Sequence, residues 1–129
     1  MLGLKPISLI ESVCDHIKIR QYKKVGLIGT STTIKSGLYA KAAEEITYLS
    51  LGEQQRTETL IRRVIANKMD DTPVLRQQIK MLLESGCEAV ILGCTELSVV
   101  AERQQLENNV LDPLSIVVPL LFQDIMEEI

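Results

Sequence analysis

Cys94, Thr95 and Glu96 place a thiol, a hydroxyl and a carboxylate in immediate succession after the run Glu88-Ala89-Val90-Ile91-Leu92-Gly93. A thiol acts as a nucleophile or a proton-transfer group once the thiolate is within reach, and a neighbouring carboxylate can orient it. If a helical turn opens at Thr95 or Glu96, its free backbone N–H groups and dipole favour the thiolate and lower the Cys94 pKa. The plainer alternative is a small apolar residue filling space at a strand end. A second stretch suited to chemistry is Thr30-Ser31-Thr32-Thr33. One hydroxyl is enough to cap a helix, so a run of hydroxyls at a strand-to-helix junction suggests a cradle for a carboxylate or phosphate. The run lacks the glycine pattern and the Gly-Lys-Ser/Thr ending of a nucleotide P-loop. Cys14 and His16 stand two apart on a helical stretch, face different ways and have no second ligand pair, so no metal site is expected.

These residues need elements to position them. Glu88 to Leu92 and Val25 to Gly29 are short, nearly continuous apolar runs closed by glycine, the pattern of strands buried on both faces of a parallel sheet. Ile46 to Leu51 is rich in β-formers and predicts a further strand, and Val110-Leu111-Asp112 a short last one. Helical spacing of apolar residues predicts helices over Pro6–Ile19, Ala40–Glu45, Glu53–Lys68, from Pro73 to Gly86, over Glu96–Gln105, and from Pro113 with Asp112 as its cap. Strand alternating with helix gives an α/β fold: a three-layer sandwich around a small, mainly parallel sheet of about four strands. In such sheets ligands bind beyond the carboxyl ends of the strands, where Thr30 and Cys94 both fall. The segment Leu114–Phe122 is apolar nearly all round, so its helix is expected to be buried on both sides. A four-strand sheet covers one side only. Without a further cover, Leu114, Val117, Val118, Leu121, Phe122 and Ile125 form an apolar band, which predicts a homodimer with a closed two-fold axis, or a larger assembly, through this helix.

The 129 residues make one domain by length. A formal charge of −3 without any basic stripe argues against a nucleic-acid surface. No apolar run approaches the ~20 residues of a membrane span. The start Met1-Leu2-Gly3-Leu4-Lys5 has no signal-peptide layout, so a cytoplasmic location is the default. Three cysteines form no even disulfide framework and suit a reducing compartment.

The stretches Val25-Gly26-Leu27-Ile28-Gly29-Thr30, Thr33 through Tyr39 and Gly86 through Leu97, with Gly-Cys-Thr-Glu as the most specific mark, resemble the aspartate/glutamate racemase family. Pro6-Ile7-Ser8-Leu9-Ile10-Glu11 and Leu111-Asp112-Pro113 extend the resemblance over nearly the whole chain. It implies one lobe of a two-lobed racemase fold. The chain would match the C-terminal half, with residues 1–20 as the linker helix and 113–129 as the C-terminal helix. It further implies inversion of an acidic amino acid without cofactor or metal, by one cysteine from each lobe on opposite faces of the α-carbon.

By this resemblance Cys94 is the second-lobe catalytic cysteine. Thr30, Thr33 and Thr95 hold the substrate, Lys68 stands where a basic residue meets the distal carboxylate, and Glu96 orients the thiol. The first lobe and its cysteine have no counterpart in this sequence, and neither Cys14 nor Cys87 matches that cysteine. The segment Tyr39–Gln54 is shorter than the family's usual length. Two function classes follow: half of a racemase that needs a first lobe from elsewhere, or a non-catalytic module that binds itself or another protein. A variant of the first uses a single cysteine, as related decarboxylases and isomerases do.

Overall fold

A computed structural model describes residues 9–52, 54–66, 73–106 and 109–128. Its elements run α1 (Leu9–Ile19), β1 (Lys24–Ile28), α2 (Ser31–Ser36), α3 (Leu38–Ala42), β2 (Thr47–Leu49), α4 (Gln54–Ile65), α5 (Val74–Glu84), β3 (Ala89–Leu92), α6 (Thr95–Arg103), β4 (Val110–Leu111) and α7 (Pro113–Glu128). The four strands form one parallel sheet in the order β2-β1-β3-β4.

The central strands are apolar on both faces because both faces are covered. In β1, Val25 and Leu27 point into one core while Ile28 joins the other; in β3, Ala89 and Ile91 go one way, Val90 and Leu92 the other. The first core is closed by Val13, Cys14 and Ile17 of α1, Tyr39 of α3 and the flank of α7, and the second by α4, α5 and α6. That is the three-layer sandwich the alternation of elements predicts. Gly26 lets α5 approach β1 closely: a Cβ there would lie 2.8 Å from Leu82 Cδ1 and 3.2 Å from Leu82 Cβ, so Leu82 would have to shift.

The order places the site. From β1 the chain crosses to β2 through α2 and α3 on one face, and from β3 it crosses to β4 through α6 on the other. The adjacent strands β1 and β3 therefore send their crossovers to opposite sides, which opens a crevice at their carboxyl ends. Gly29-Thr30 and Gly93-Cys94 line that opening.

Several boundaries differ from those the sequence predicts. The strand expected over Ile46–Leu51 is only Thr47–Leu49, with Ile46 already turned into the core. Of the helix expected over Ala40–Glu45 only Ala40–Ala42 is helical, as the end of α3, which starts at Leu38 and is separated from α2 by Gly37 at φ +64°, a left-handed conformation that glycine adopts freely. Helix α6 opens at Thr95, one residue earlier than Glu96. The expected helix ends at Pro6 and at Lys68 lie outside the described residues.

Helix α7 is not buried on both sides. Pro113 and Val117 face inward where α7 packs on α1, whereas Val118 is 57%, Phe122 65% and Met126 55% exposed. Val117 thus leaves the expected apolar band for the core. The side chains of Leu114, Leu121 and Ile125 are outside the described set. No helix among the described residues is long and apolar enough to cross a membrane.

Candidate active site at the ends of two central strands

Two glycines let the strand ends meet. The Gly93 N–H donates to the Ile28 carbonyl at 2.7 Å, which keeps β1 and β3 joined one residue beyond β3. A Cβ on Gly93 would stand 3.1 Å from Thr33 Cγ2 and 3.2 Å from the Ile28 oxygen, so a side chain there would crowd Thr33, which settles against the backbone that leads into Cys94. Thr33 packs in the same way over Gly29, whose Cβ would lie 3.4 Å from the Thr33 Cβ. The hydroxyl loop and the thiol strand are therefore in direct contact.

Within the loop, Thr30 is the N-cap of α2, and its Oγ1 accepts from the Thr33 N–H at 3.1 Å. The two hydroxyls, Thr30 Oγ1 and Thr33 Oγ1, lie 3.0 Å apart. Ser31 Oγ donates to Glu58 Oε1 at 2.7 Å, and this bond holds the Glu58 carboxyl below its usual range. The run of hydroxyls is thus a cap, a hydroxyl pair and a tether to α4.

Cys94 is the N-cap of α6, with extended backbone. Its thiol donates to Glu96 Oε2 at 2.5 Å. The helix-opening N–H groups of Glu96 and Leu97 favour the thiolate, as the sequence leads one to expect, but burial and the Glu96 carboxylate outweigh them. The Cys94 pKa is raised, not lowered. The expectation of a thiolate-stabilising site is corrected accordingly: a carboxylate that accepts the thiol proton holds that proton in place. Cys94 remains the accessible thiol, since Cys14 and Cys87 are buried. Cys14 faces Tyr48 Oη at 3.6 Å in the core beneath α1. Cys87 lies at the opposite end of β3, roughly 20 Å from Cys94 at ~3.3 Å per strand residue.

Beside Cys94 is a cavity of about 70 Å³ bordered by Tyr39, Gly93, Ser98 and Pro113. Ser98 Oγ donates to Asp112 Oδ1 at 2.7 Å and Ser115 Oγ to Asp112 Oδ2 at 3.2 Å, which ties α6 to the start of α7. Roomier cavities of about 410 and 640 Å³ flank β4 instead, away from the thiol. Among the described residues no three His, Cys, Asp or Glu side chains group as a metal site.

Of the residues singled out in the sequence, Cys94, Glu96, Thr30 and Thr33 come together at this crevice. Thr95 heads α6, and its side chain is outside the described set; Lys68 lies outside the described residues altogether. Ser98, Tyr39 and Glu58 were not singled out. Ser98 sits one helical turn after Cys94, a spacing that puts both on one face and could have revealed it. Tyr39 and Glu58 reach the site by tertiary packing, which leaves no local signal.

Parallel strands with a thiol at the reversal of strand order define an α/β protein with a strand-end site. The sequence matches the Asp/Glu/hydantoin racemase family over residues 6–121, and the chain belongs to that family. It is 31% identical over 94 residues to a glutamate racemase of Desulforudis audaxviator, covering 69% of this chain and 34% of that one. Among solved structures, an aspartate racemase homologue from Pyrococcus horikoshii has TM-score 0.73 at 24% identity, over 95% of this chain and 55% of its own. The Picrophilus torridus aspartate racemase has TM-score 0.69 at 22% identity, over 92% and 52%. The chain therefore spans about half the length of these structures and about a third of the glutamate racemase.

Proposed function

We propose that this chain is the C-terminal lobe of a cofactor-independent racemase of acidic amino acids, with Cys94 as one of its two proton-transfer groups. The observation that carries this reading is the contact of Thr33 with Gly93, which sets the hydroxyl loop against the strand that delivers Cys94. Inversion at an α-carbon needs a base on one face and an acid on the other. With its pKa raised by burial and by Glu96, Cys94 rests as the thiol and is the donor. Its S–H proton passes to the α-carbanion, the electron pair of that bond stays on sulfur, and the opposing base holds the proton it has removed. In the reverse direction the resulting thiolate is the base.

Glu96 orients the S–H bond, and Thr30, Thr33 and Thr95 take the substrate α-carboxylate by hydrogen bonding. Lys68 meets the distal carboxylate. The opposing group comes from a first lobe or a second chain, because Cys14 and Cys87 are both buried away from the crevice. Three free thiols suit a reducing compartment such as the cytoplasm.

A non-catalytic binding module is the second reading, and the exposed side of α7 is in its favour. Ligand protection separates the two. Millimolar aspartate or glutamate is expected to slow alkylation of Cys94 by iodoacetamide, with alanine without effect. Equal rates with all three amino acids would count against the racemase reading.

A further inference from the structure

We propose that Asp112 is a positioning residue for Cys94, acting through Ser98, whose hydroxyl it holds one helical turn beyond the thiol; this rests on the reading of Cys94 as a thiol held by Glu96. The first turn of α6 is loosely closed by its own backbone. The Leu97 N–H donates to the Cys94 carbonyl at 3.1 Å, but the Ser98 N–H reaches the same oxygen only at 3.4 Å. That longer bond is the one that opens the α-helical ladder at an N-cap. The Ser98 side chain makes the firmer link: it is 7% exposed, and its Oγ donates to Asp112 Oδ1 at 2.7 Å. A hydrogen bond to an ionised acceptor is roughly twice as strong as one between neutral groups.

Asp112 is anchored independently of α6. It directly follows β4, whose Val110 and Leu111 pair with Val90 and Ile91 of the central strand β3. Its carbonyl accepts from the Ile116 N–H at 3.2 Å, and its Oδ2 from Ser115 Oγ at 3.2 Å, where α7 begins. One carboxylate thus fastens the turn that carries Cys94 to the last strand of the sheet. The same tie borders the space beside the thiol, since Ser98 and Pro113 both line the cavity of about 70 Å³ next to Cys94. Glu96 lies two residues before Ser98 in that turn and accepts the Cys94 S–H at 2.5 Å. Fixing the turn in rotation fixes where the Glu96 carboxylate points. Among the groups around the thiol, Glu96 is the charge that acts on it. Tyr39 of α3 borders the cavity and, with its pKa pushed up to about 12 by burial, stays neutral. From α1 and α7 come Leu9 and Pro113, which carry no charge, and Glu58 of α4 is bonded to Ser31.

The pH profile of Cys94 alkylation by iodoacetamide, read by peptide mapping, tests this, because a purely structural tie changes stability and leaves the thiol's pairing alone. Ser98→Ala frees the turn and is expected to move the profile down by about 0.5 pH unit, which is about threefold faster labelling at neutrality. Ser98→Thr keeps the hydroxyl, the adjoining cavity takes up its methyl, and the wild-type profile is expected. Ser115→Ala cuts only the α7 side of Asp112 and is expected to leave the profile unmoved. In Glu96→Gln the pairing is already lost, so Ser98→Ala adds nothing to the shift of that variant. Asp112→Asn keeps a capping side chain but offers a neutral acceptor; it is expected to move the profile part of the way and reads the tie should Ser98→Ala fail to fold. An unmoved profile in Ser98→Ala, or in Asp112→Asn where that variant stands in, overturns the proposal. An equal shift in Ser98→Thr or Ser115→Ala overturns it in favour of packing, and a shift that adds in full to that of Glu96→Gln overturns it in favour of simple exposure. The readout is the thiol itself, so amino acids that fail to protect Cys94 count against the racemase reading and leave the tie standing.

Discussion

The Cys94 thiol donates to Glu96 Oε2 at 2.5 Å across the first turn of α6, and this pairing decides which form of the thiol the site stores. Burial comes first and the carboxylate second in raising the Cys94 pKa. Replacing Glu96 by Gln removes the charge that disfavours the thiolate and leaves a weaker acceptor. The pH profile of Cys94 alkylation is therefore expected to move to lower pH in Glu96→Gln, with faster labelling at neutrality. Peptide mapping after brief iodoacetamide treatment should also find Cys94 labelled before the buried Cys14 and Cys87. An unmoved profile would mean that Glu96 does not hold the thiol proton.

Gly93→Ala tests the junction of loop and strand. The new Cβ meets a side-chain methyl of Thr33 at 3.1 Å but also the Ile28 backbone oxygen at 3.2 Å, which cannot rotate away. Overpacking of this kind costs about 1–3 kcal/mol. Urea unfolding should show the loss, and Thr33→Ser in the same chain should restore only part of it.

Much of this architecture was legible in the chain. The double-faced strands β1 and β3 are written in Val25–Ile28 and Ala89–Leu92, and α1 in the spacing of Ile10, Val13, Cys14 and Ile17, because burial leaves a periodicity. Cys94 and the hydroxyl loop could be placed at strand ends for the same reason. The sign of the thiol shift could not be read, since helix N–H groups and a carboxylate two residues on oppose each other and only side-chain geometry decides between them. Helix α2 was hidden, because its 6 residues are too short to show a helical period. The tether from Ser31 to Glu58 spans 27 residues and leaves no trace in local pattern.

Alkaline pH should unfold this protein readily. Burial raises the pKa of Cys14, Cys87 and Cys94, pushes Tyr39 up to about 12 and raises Tyr48 as well. For an acid whose folded pKa is raised, the unfolded chain loses its proton first, so stability falls as pH passes the unfolded value and continues to fall up to the folded one. Stability is expected to hold at neutrality and to decline from about pH 8.5, where ordinary cysteines ionise, through the tyrosine range. Denaturation midpoints across that interval check it. Cys14→Ala should flatten the first part of the decline.

Racemisation by the chain alone should be absent. All three cysteines are described, and only Cys94 reaches the crevice, so no second thiol stands on the other face of a bound α-carbon. Chiral chromatography after incubation with L-aspartate or L-glutamate is expected to find no D-isomer. Turnover that Cys94→Ser abolishes would show that the second base belongs to this chain or its copy.

Hydrogen exchange at the α-carbon tests the role of Cys94 most directly. In D2O, with aspartate and glutamate supplied as separate enantiomers, NMR should show slow loss of the α-proton signal from one enantiomer only. Configuration should be retained, and the loss should vanish in Cys94→Ser. Exchange that survives Cys94→Ser, or no exchange from either enantiomer of either amino acid, would contradict the assignment of Cys94 as the proton-transfer group.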